Sequence, residues 1–262
     1  MEILQFDIQG KFAHFRKYYA NNTAMSFSIP PRTTLMGILA GMLGLPKDSY
    51  YEQLSSDKIR IGIAVKAPIK KTFHRLNLLS IKSKGDIKKS FDSDFRGING
   101  RIQTPFEVVS GHNIQTDELV YRVFVACFDA GKEIFENIKL HLQEHKTCFP
   151  TTLGTAQFLA SISNIQLYRE IKERNAQGEW IDFHSAVITD NVSEIAFEQD
   201  DWQNFVEEEL MPADFKGNND RELLKMNRVL FATKNAPLRV KFTGIYFQLE
   251  NTDEKQTIQF LE

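Results

Sequence analysis

A helix pattern with a row of glycines follows an aromatic and basic segment near the N-terminus, and this combination limits the folds open to the chain. Pro30-Pro31 ends the first segment, and Gly44-Leu45-Pro46 supplies a helix stop signal. Between them, apolar residues recur at the i, i+3, i+4, i+7, i+8 spacing of a buried helix face. These residues are Leu35, Ile38, Leu39, Met42 and Leu43. We therefore predict a buried helix that starts near Thr33 and ends at Gly44.

Three glycines form a second row of small residues on the predicted helix, at Gly37, Gly41 and Gly44. Glycine costs about 1 kcal/mol at each interior helix position. Such a row therefore predicts that another backbone segment approaches this face of the helix closely.

The segment before the helix interleaves aromatic and basic side chains. Its aromatic residues are Phe12, Phe15, Tyr18 and Tyr19, and its basic residues are Lys11, His14, Arg16 and Lys17. Aromatic faces stack on the bases of single-stranded nucleic acid, and neighbouring Lys and Arg side chains contact its phosphates. The same alternation is also typical of core aromatic residues flanked by solvated cations. Composition leaves both interpretations open.

The net charge of −2 hides an asymmetry along the chain. Residues 1–122 contain 18 Lys and Arg against 11 Asp and Glu, a balance of +7, whereas residues 123–262 contain 14 against 23, a balance of −9. Within 11–101 the count is 17 against 6, which favours a polyanionic partner for this region. Residues 190–222 carry 11 acidic side chains against two basic ones, so we expect protein contacts from the C-terminal part.

Strands and helices are predicted in alternation along much of the chain. The predicted strands are Ile3–Ile8, Ile59–Val65, Leu119–Phe128, Ile165–Ile171 and a closing hairpin of Val240–Leu249 with Thr257–Leu261; the further predicted helices are Asp48–Leu54, Lys132–Leu142 and Leu153–Ile162. The third of these strands is apolar on both faces apart from Arg122, as in a central strand. The order suggests an α+β fold with a ferredoxin-like β-α-β-β-α-β unit. The acidic run Glu207–Glu209 is interpreted as a solvated helix end.

The segment from Pro68 to Pro105 is basic and poor in core residues. Long structureless loops inside compact domains are uncommon and are usually functional or disordered. The sequence alone leaves open whether this segment is a functional projection or a disordered basic loop.

The phrases FAHFRKYY and SFSIPPRTTLMGILAGMLGL closely resemble the signature of a CRISPR-associated RAMP family, the Cascade subunit that holds the 5′ handle of the guide RNA. They are similar to the opening strand–loop–helix of a type I-B-like branch of the fifth Cas family. PIKKTF at 68–73, TPFEVV at 104–109, YRVFV at 121–125 and TTLGTAQFLA at 151–160 also look like phrases of that family. The resemblance covers about the first 165 residues well and the remainder weakly.

The resemblance implies a fold, a function and partners. The implied fold is a RAMP ferredoxin-like RNA-binding domain over residues 1–172, with an inserted basic β-hairpin thumb at about 71–103. The acidic composition and the strand pattern after about residue 173 separately predict a smaller, mostly β domain over residues 173–262. The implied function is that of a non-catalytic crRNA-binding subunit, which caps the 5′ handle in a type I CRISPR effector complex. Its further partners would be the Cascade backbone subunit, which the thumb would meet beside the guide RNA, and the large subunit.

We expect RNA contacts from residues within these phrases and from neighbouring cations. Phosphate and sugar contacts are expected from Lys11, Arg16, Lys17, Arg32, Lys70, Lys71, Arg75 and Arg101, base stacking or splaying from His14, Phe15, Tyr18 and Tyr19, and a further RNA contact from His74. Thr33 and Thr34 lie at the predicted helix start, where free N–H groups and the positive end of the helix dipole favour a phosphate. For the aromatic residues a core position remains the alternative, and a buried arginine would need a partner.

A metal-free endoribonuclease that processes precursor crRNA is the alternative function. Such a reaction needs a base, an acid and a cation, and His14, Lys17, Tyr18, Tyr19 and His74 have suitable side chains. Some branches of the family use a tyrosine with an adjacent Lys-His pair, and this chain has no Lys-His dipeptide. We therefore expect no catalytic residues. A structural scaffold that binds partners through its acidic half is a third alternative.

Cysteine usage and hydropathy lead to expectations about location and ligands. Cys127 and Cys148 form neither a disulfide framework nor a paired zinc spacing, which favours a reducing, cytoplasmic compartment. No signal peptide and no apolar run of 18 residues is visible, so we expect no membrane contact. His141 and His145 lack a matching acidic or cysteine ligand, so we expect no metal and no cofactor.

Overall fold

This computed structural model describes residues 1–20, 23–79, 81, 83–93, 101–196, 206–217, 221–250 and 255–262, with Arg101 described through its backbone alone. In chain order the elements are β1 (Ile3–Gly10), β2 (Phe12–Ala13), β3 (Phe15–Arg16), β4 (Ser26–Phe27), α1 (Arg32–Leu43), β5 (Ile59–Val65), β6 (Ile69–Leu79), α2 (Lys84–Asp92), β7 (Arg101–Gly111), β8 (Leu119–Cys127), α3 (Lys132–Gln143), β9 (Ala160–Tyr168), β10 (Ile171–Phe183), β11 (Val187–Ile188), β12 (Val192–Ile195), β13 (Val206–Phe215), β14 (Leu223–Ala232), β15 (Leu238–Glu250) and β16 (Lys255–Ile258). No helix in these ranges is long and apolar enough to cross a membrane. The fold is therefore α+β, as predicted.

A four-stranded antiparallel sheet in the spatial order β5-β8-β1-β9 forms the centre of the N-terminal part. Helix α1 lies between β1 and β5 along the chain, and α3 lies between β8 and β9. One face of the sheet packs against both helices, so that Phe6, Leu39 and Ile138 share one buried cluster. The other face is covered by the C-terminal strands, where Phe124 shares a cluster with Phe247. β8 is apolar on both faces because both faces are buried, as predicted for a central strand.

Helix α1 begins and ends where the sequence predicts. Gly44 has a φ of 73°, and its N–H donates to the Gly41 carbonyl at 3.3 Å, so a left-handed C-cap ends the helix. The C-terminal end of the glycine row meets another backbone segment, since the Phe149 N–H donates to the Gly41 carbonyl at 3.2 Å and the Cys148 N–H donates to the Met42 carbonyl at 3.0 Å. A Cβ on Gly37 would lie 3.0 Å from the hydroxyl of Tyr50, and a Cβ on Gly41 would meet nothing within 4 Å. The predicted close approach of another backbone therefore occurs at the C-terminal end of the row, whereas the side chains that Gly37 and Gly41 lack would point towards a cleft.

Two predicted helices are wrong. Asp48–Leu54 forms turns, and Leu153–Ile162 forms turns followed by the start of β9. Gly154 explains the second case, since its φ is 96° and a Cβ there would lie 1.9 Å from the carbonyl oxygen of His14. Tertiary contact with the N-terminal segment therefore overrides the helical spacing. The predicted strand Ile165–Ile171 is divided between β9 and β10.

β6 and β7 form a long antiparallel hairpin with α2 between them. Pairing runs from Ile69 opposite Gly111 to Leu79 opposite Arg101. The base of the hairpin is buried, whereas further out Phe73 is 59% exposed. Within its described residues, the basic segment is therefore paired strand and helix, and the alternative of a structureless loop does not hold there.

The C-terminal part is built mainly from strands, as predicted. β10, β15 and β12 form one sheet with β16 paired to β15, and β11, β14 and β13 form another. The predicted closing hairpin corresponds to β15 with β16. Glu207–Glu209, expected at a helix end, instead lie within β13. Buried Ala186, Met211 and Val229 join the same cluster as α1, so the core is continuous across the predicted boundary at 172/173, which itself stays a prediction.

Candidate nucleic-acid interface

A cleft of about 580 Å³ opens beside the first turns of α1. Its walls come from β3, β4 and α1, from the segments around Tyr18, Tyr50 and 149–154, and from β13, β14 and Arg221. Arg16, Tyr18, Thr33 and Thr34 all line this cleft. The structure therefore brings together four of the residues that the sequence predicts to bind RNA.

Pairing of β3 with β4 decides which of Phe15 and Arg16 faces solvent. Successive strand residues point to opposite sides, so neighbours along the segment have different environments. Phe15 is 2% exposed and lies in the core. Arg16 is exposed, and its guanidinium makes a long hydrogen bond of 3.5 Å to the Ala20 carbonyl. The structure thus favours the core interpretation for Phe15 and the surface interpretation for Arg16.

Three exposed aromatic rings lie in or beside the cleft. Tyr18 is 55% exposed, Tyr19 is 54% exposed, and their rings meet edge to face at 5.2 Å. Phe149, which is 57% exposed, lines the same cleft as Tyr18. Exposed rings of this kind are suitable platforms for base stacking. Sequence reasoning missed Phe149, although it lies just before the family-like phrase at 151–160.

The N-terminus of α1 faces the cleft, and the helix places no acidic residue in its own first turn. Pro31 is the N-cap, no side chain caps the helix, and the first turn contains no acidic residue. The Pro31 carbonyl accepts from the N–H groups of Thr34 and Leu35, at 2.9 and 3.1 Å. The positive end of the helix dipole is therefore not neutralised by a carboxylate of the helix itself, a situation that favours a bound anion.

Arg32 does not reach the cleft. Its side chain is 2% exposed, and Nη1 lies 2.5 Å from Asp214 Oδ1 in a buried ion pair. Nη2 donates to the carbonyls of Leu54 and Ile59, at 2.9 and 2.6 Å. We therefore replace the predicted phosphate contact with a structural role, because these partners occupy the guanidinium donors on both terminal nitrogens. The partner that a buried arginine requires comes from β13.

Two more predicted RNA contacts, Lys17 and Lys71, are paired with one carboxylate. Lys17 Nζ lies 2.8 Å and Lys71 Nζ lies 3.2 Å from Oε1 of Glu209, which is 8% exposed. Burial lowers the pKa of Lys17, but the hydrogen bonds and charges of Glu209 and, to a lesser extent, Tyr19 together raise that pKa above its ordinary value. Sequence reasoning missed Glu209 because it assigned residues 207–209 to a solvated helix end.

His14 is a core residue. It is 3% exposed, its ring stacks on Phe106 with centroids 4.0 Å apart, and Nδ1 donates to the Glu107 carbonyl at 2.7 Å. Burial is the main cause that lowers the pKa of His14, so the neutral ring is favoured. We therefore replace the predicted stacking on bases with stacking inside the protein.

The remaining predicted residues lie away from the cleft. Lys11 and Lys70 each donate to backbone carbonyls of the turn that follows β7. His74 and Arg75 are exposed on β6. The side chain of Arg101 lies outside the described residues. The exposed basic residues of the hairpin, His74 and Arg75, therefore form a group that is separate from the residues of the cleft.

The fold is similar to that of a solved CRISPR protein. Over 100% of both chains it matches a CRISPR protein from Archaeoglobus fulgidus, with a TM-score of 0.57 and 14% identity. A chain of a CRISPR RNA-guided surveillance complex matches over 89% of this chain and 91% of its own, with a TM-score of 0.46 and 14% identity. A comparison with curated proteins gave no match.

The sequence also matches a family model. The match spans residues 3–233 of the 262, and the description of that family is CRISPR-associated protein (Cas_Cas5). The matched range includes every residue that lines the cleft and the whole β6–β7 hairpin. This chain therefore belongs to the Cas5 family of CRISPR-associated proteins.

Proposed function

We propose that this protein is the crRNA-binding subunit of a type I CRISPR effector complex in the cytoplasm, where it holds the 5′ handle of the guide RNA in the cleft beside α1. The observation that carries the proposal is the composition of that cleft. One groove combines an exposed arginine (Arg16), an exposed stacking ring (Tyr18) and the positive end of a helix. Single-stranded RNA is bound by this combination of cations and aromatic platforms.

The topology supports the finer fold assignments that belong to this proposal. The four strands lie in the spatial order β9-β1-β8-β5, with α1 following β1 and α3 following β8 along the chain. This arrangement corresponds to that of a ferredoxin-like β-α-β-β-α-β unit. We assign the thumb to the part of the β6–β7 hairpin beyond its buried base, where side chains are exposed. This thumb would contact the neighbouring backbone subunit beside the guide RNA. The large subunit is the third proposed partner, and the acidic C-terminal strands after residue 172 are the proposed protein-contact part.

We propose further that the protein does not cut RNA. A general acid or base must come within hydrogen-bonding distance of the reacting atoms. His14 is buried against Phe106, and His74 lies on β6, outside the residues that line the cleft. Tyr18 therefore has no histidine partner among the described residues of the cleft, which supports a binding role for it.

Arg16→Gln tests the cleft as the RNA site. We expect the affinity for 5′-handle RNA to fall by roughly tenfold, since a hydrogen bond to a charged group is lost. The slope of log K against log salt should become shallower by about 0.7, as expected for one lost phosphate contact on a single strand. Fluorescence anisotropy over a salt series measures both quantities.

Arg169→Gln is the matched control, because Arg169 is exposed, pairs with Glu2 and lies outside the cleft. It should leave affinity and slope at the parent values. If Arg16→Gln also leaves both unchanged in a folded protein, the handle does not bind beside Arg16 and the proposed site is wrong.

Repeat RNA should remain intact in the presence of this protein. The assay uses end-labelled repeat RNA, excess protein and EDTA, with a Tyr18→Phe/His74→Ala variant alongside. A general acid or base contributes about 10²–10⁴-fold in rate, so a real active site would be visible against spontaneous hydrolysis. A discrete product made by the parent and absent with the variant would establish the ribonuclease alternative instead.

A further inference from the structure

One buried carboxylate joins three segments of the chain beneath the cleft. Glu209 Oε1 accepts from Lys17 of the aromatic and basic segment and from Lys71 at the base of the hairpin, at 2.8 and 3.2 Å. Its other oxygen, Oε2, accepts from the Ser28 N–H, just after β4, at 2.8 Å. Neighbouring Glu207 contacts two of the same residues. Its Oε2 accepts from the Ser28 hydroxyl and lies 3.8 Å from Lys71 Nζ.

The geometry separates Lys17 from its neighbours in sequence. Arg16 and Tyr18 line the cleft, whereas the Lys17 side chain is only 12% exposed and its Nζ lies 5.2 Å from the centre of the Phe27 ring. Glu209 therefore holds Lys17 on the inner side of the segment. Arg16 and Tyr18 remain on the outer side, with Arg16 at the end of β3 and Tyr18 in the turn that the Ala20 N–H closes onto the Lys17 carbonyl at 3.2 Å.

If Lys17 or Lys71 were not paired with a carboxylate, its ammonium group would attract RNA phosphates. Lys17 and Lys71 lie within or beside the RNA-binding segments, and unpaired lysines bind phosphates of any sequence. Phosphate contacts supply affinity without sequence information, which comes from contacts to the bases. Glu209 and Glu207 together place two negative charges against these two lysines, which removes non-specific attraction from the same region that orients the cleft side chains.

We propose that Glu209 is a positioning and specificity-determining residue for RNA binding, which holds the Arg16–Tyr18 segment in place and withholds Lys17 and Lys71 from phosphate. This inference rests on the proposed function, since it concerns how the same cleft selects its RNA. It assigns a role to the acidic strand β13 in RNA discrimination, although that strand would repel RNA if it were exposed.

Glu209→Gln in the full chain is the direct test, because glutamine keeps an oxygen for the Ser28 N–H while removing the charge. The probes are repeat-derived 5′-handle RNA and a scrambled RNA of the same length, each titrated over a salt series. For the scrambled RNA we expect the slope of log K against log salt to steepen by about 0.7 for each released lysine. The ratio of handle affinity to scrambled affinity should fall by at least about threefold, since the freed lysines favour both RNAs and the cleft side chains lose their support.

Glu208→Gln is the matched control, because Glu208 is the exposed neighbour on the opposite face of β13. Its slope and its affinity ratio should equal those of the parent. Lys17→Met supplies an independent test: handle affinity should fall while the salt slope stays at the parent value, since Lys17 contacts no phosphate. A slope shallower by about 0.7 in Lys17→Met would show that Lys17 binds phosphate and would overturn the proposal.

The outcomes separate this inference from the proposed function. A parent protein that fails to prefer handle RNA over scrambled RNA contradicts the proposed function itself. A parent that does prefer it, together with a folded Glu209→Gln variant of unchanged slope and ratio, overturns only the role of Glu209. Circular dichroism at the assay temperature establishes folding, and if Glu209→Gln unfolds, Lys17→Met decides.

Discussion

Asp214→Ala is expected to lower the free energy of unfolding by about 3–5 kcal/mol, the usual cost of removing one partner from a buried ion pair. The Arg32 guanidinium would remain buried without its carboxylate, and the N–H of Ser56 would lose its acceptor on Asp214 Oδ2. A loss of this size is a large part of the stability of a typical domain. Urea unfolding followed by circular dichroism measures the shift in midpoint.

Asp129→Ala is the control for this measurement. Asp129 also makes a short ion pair, 2.8 Å from Lys132, but both side chains are largely exposed. Exposed pairs contribute little because water already solvates both charges, so we expect no measurable change in midpoint. Equal midpoints for Asp214→Ala and the parent would show that Arg32 is solvated and available at the surface, which would restore the original assignment of Arg32 to RNA binding.

Replacing residues 78–102 by a two-residue Asn-Gly turn should abolish assembly with guide RNA and the backbone subunit while leaving the protein folded. The turn would join Asn77 to Gln103, which are opposite each other in the hairpin, and Asn-Gly suits a two-residue hairpin turn. Shortening an exposed loop changes stability little. Co-purification of the complex measures assembly, and circular dichroism of the isolated subunit measures folding.

Replacing the longer range 71–103 should instead destabilise the protein. That range includes Lys71, which pairs with Glu209, and Leu76, which packs against the buried cluster of Phe106 and Val108. The contrast between the two replacements would define where the thumb begins. Normal assembly by the shorter variant would mean that the outer hairpin contacts no partner, and its unfolding would mean that this part belongs to the core.

Elements whose sequence pattern is local were predicted correctly. The glycine stop at Gly44, the apolar spacing of α1, the alternation in β1 and β5, and the two-sided apolar character of β8 each predict the element that the structure contains. These signals work because helix and strand periodicity and the left-handed cap depend on neighbouring residues. The predictions for Asp48–Leu54 and Leu153–Ile162 were wrong because tertiary contacts, such as the close approach of Gly154 to His14, override local spacing.

In the candidate site, too, the sequence predicts the local pattern, and tertiary structure sets the environment of each side chain. Alternation along the aromatic and basic segment predicts that its side chains take two environments, but it does not say which set faces inward. Pairing with β4 places Phe15 in the core and Arg16 at the cleft, and the turn that follows β3 brings Tyr18 to the same cleft.

The ion-pair partners of the charged residues depend on tertiary structure even more strongly. The sequence alone identifies Arg32 and Lys17 as cations in a region suited to RNA. Their acceptors, Asp214 and Glu209, lie more than 180 residues away along the chain, and only the packing of β13 against α1 and the N-terminal segment brings them together. A local pattern records what charge a residue carries, whereas the partner that neutralises the charge is set by which distant strands the fold places beside it.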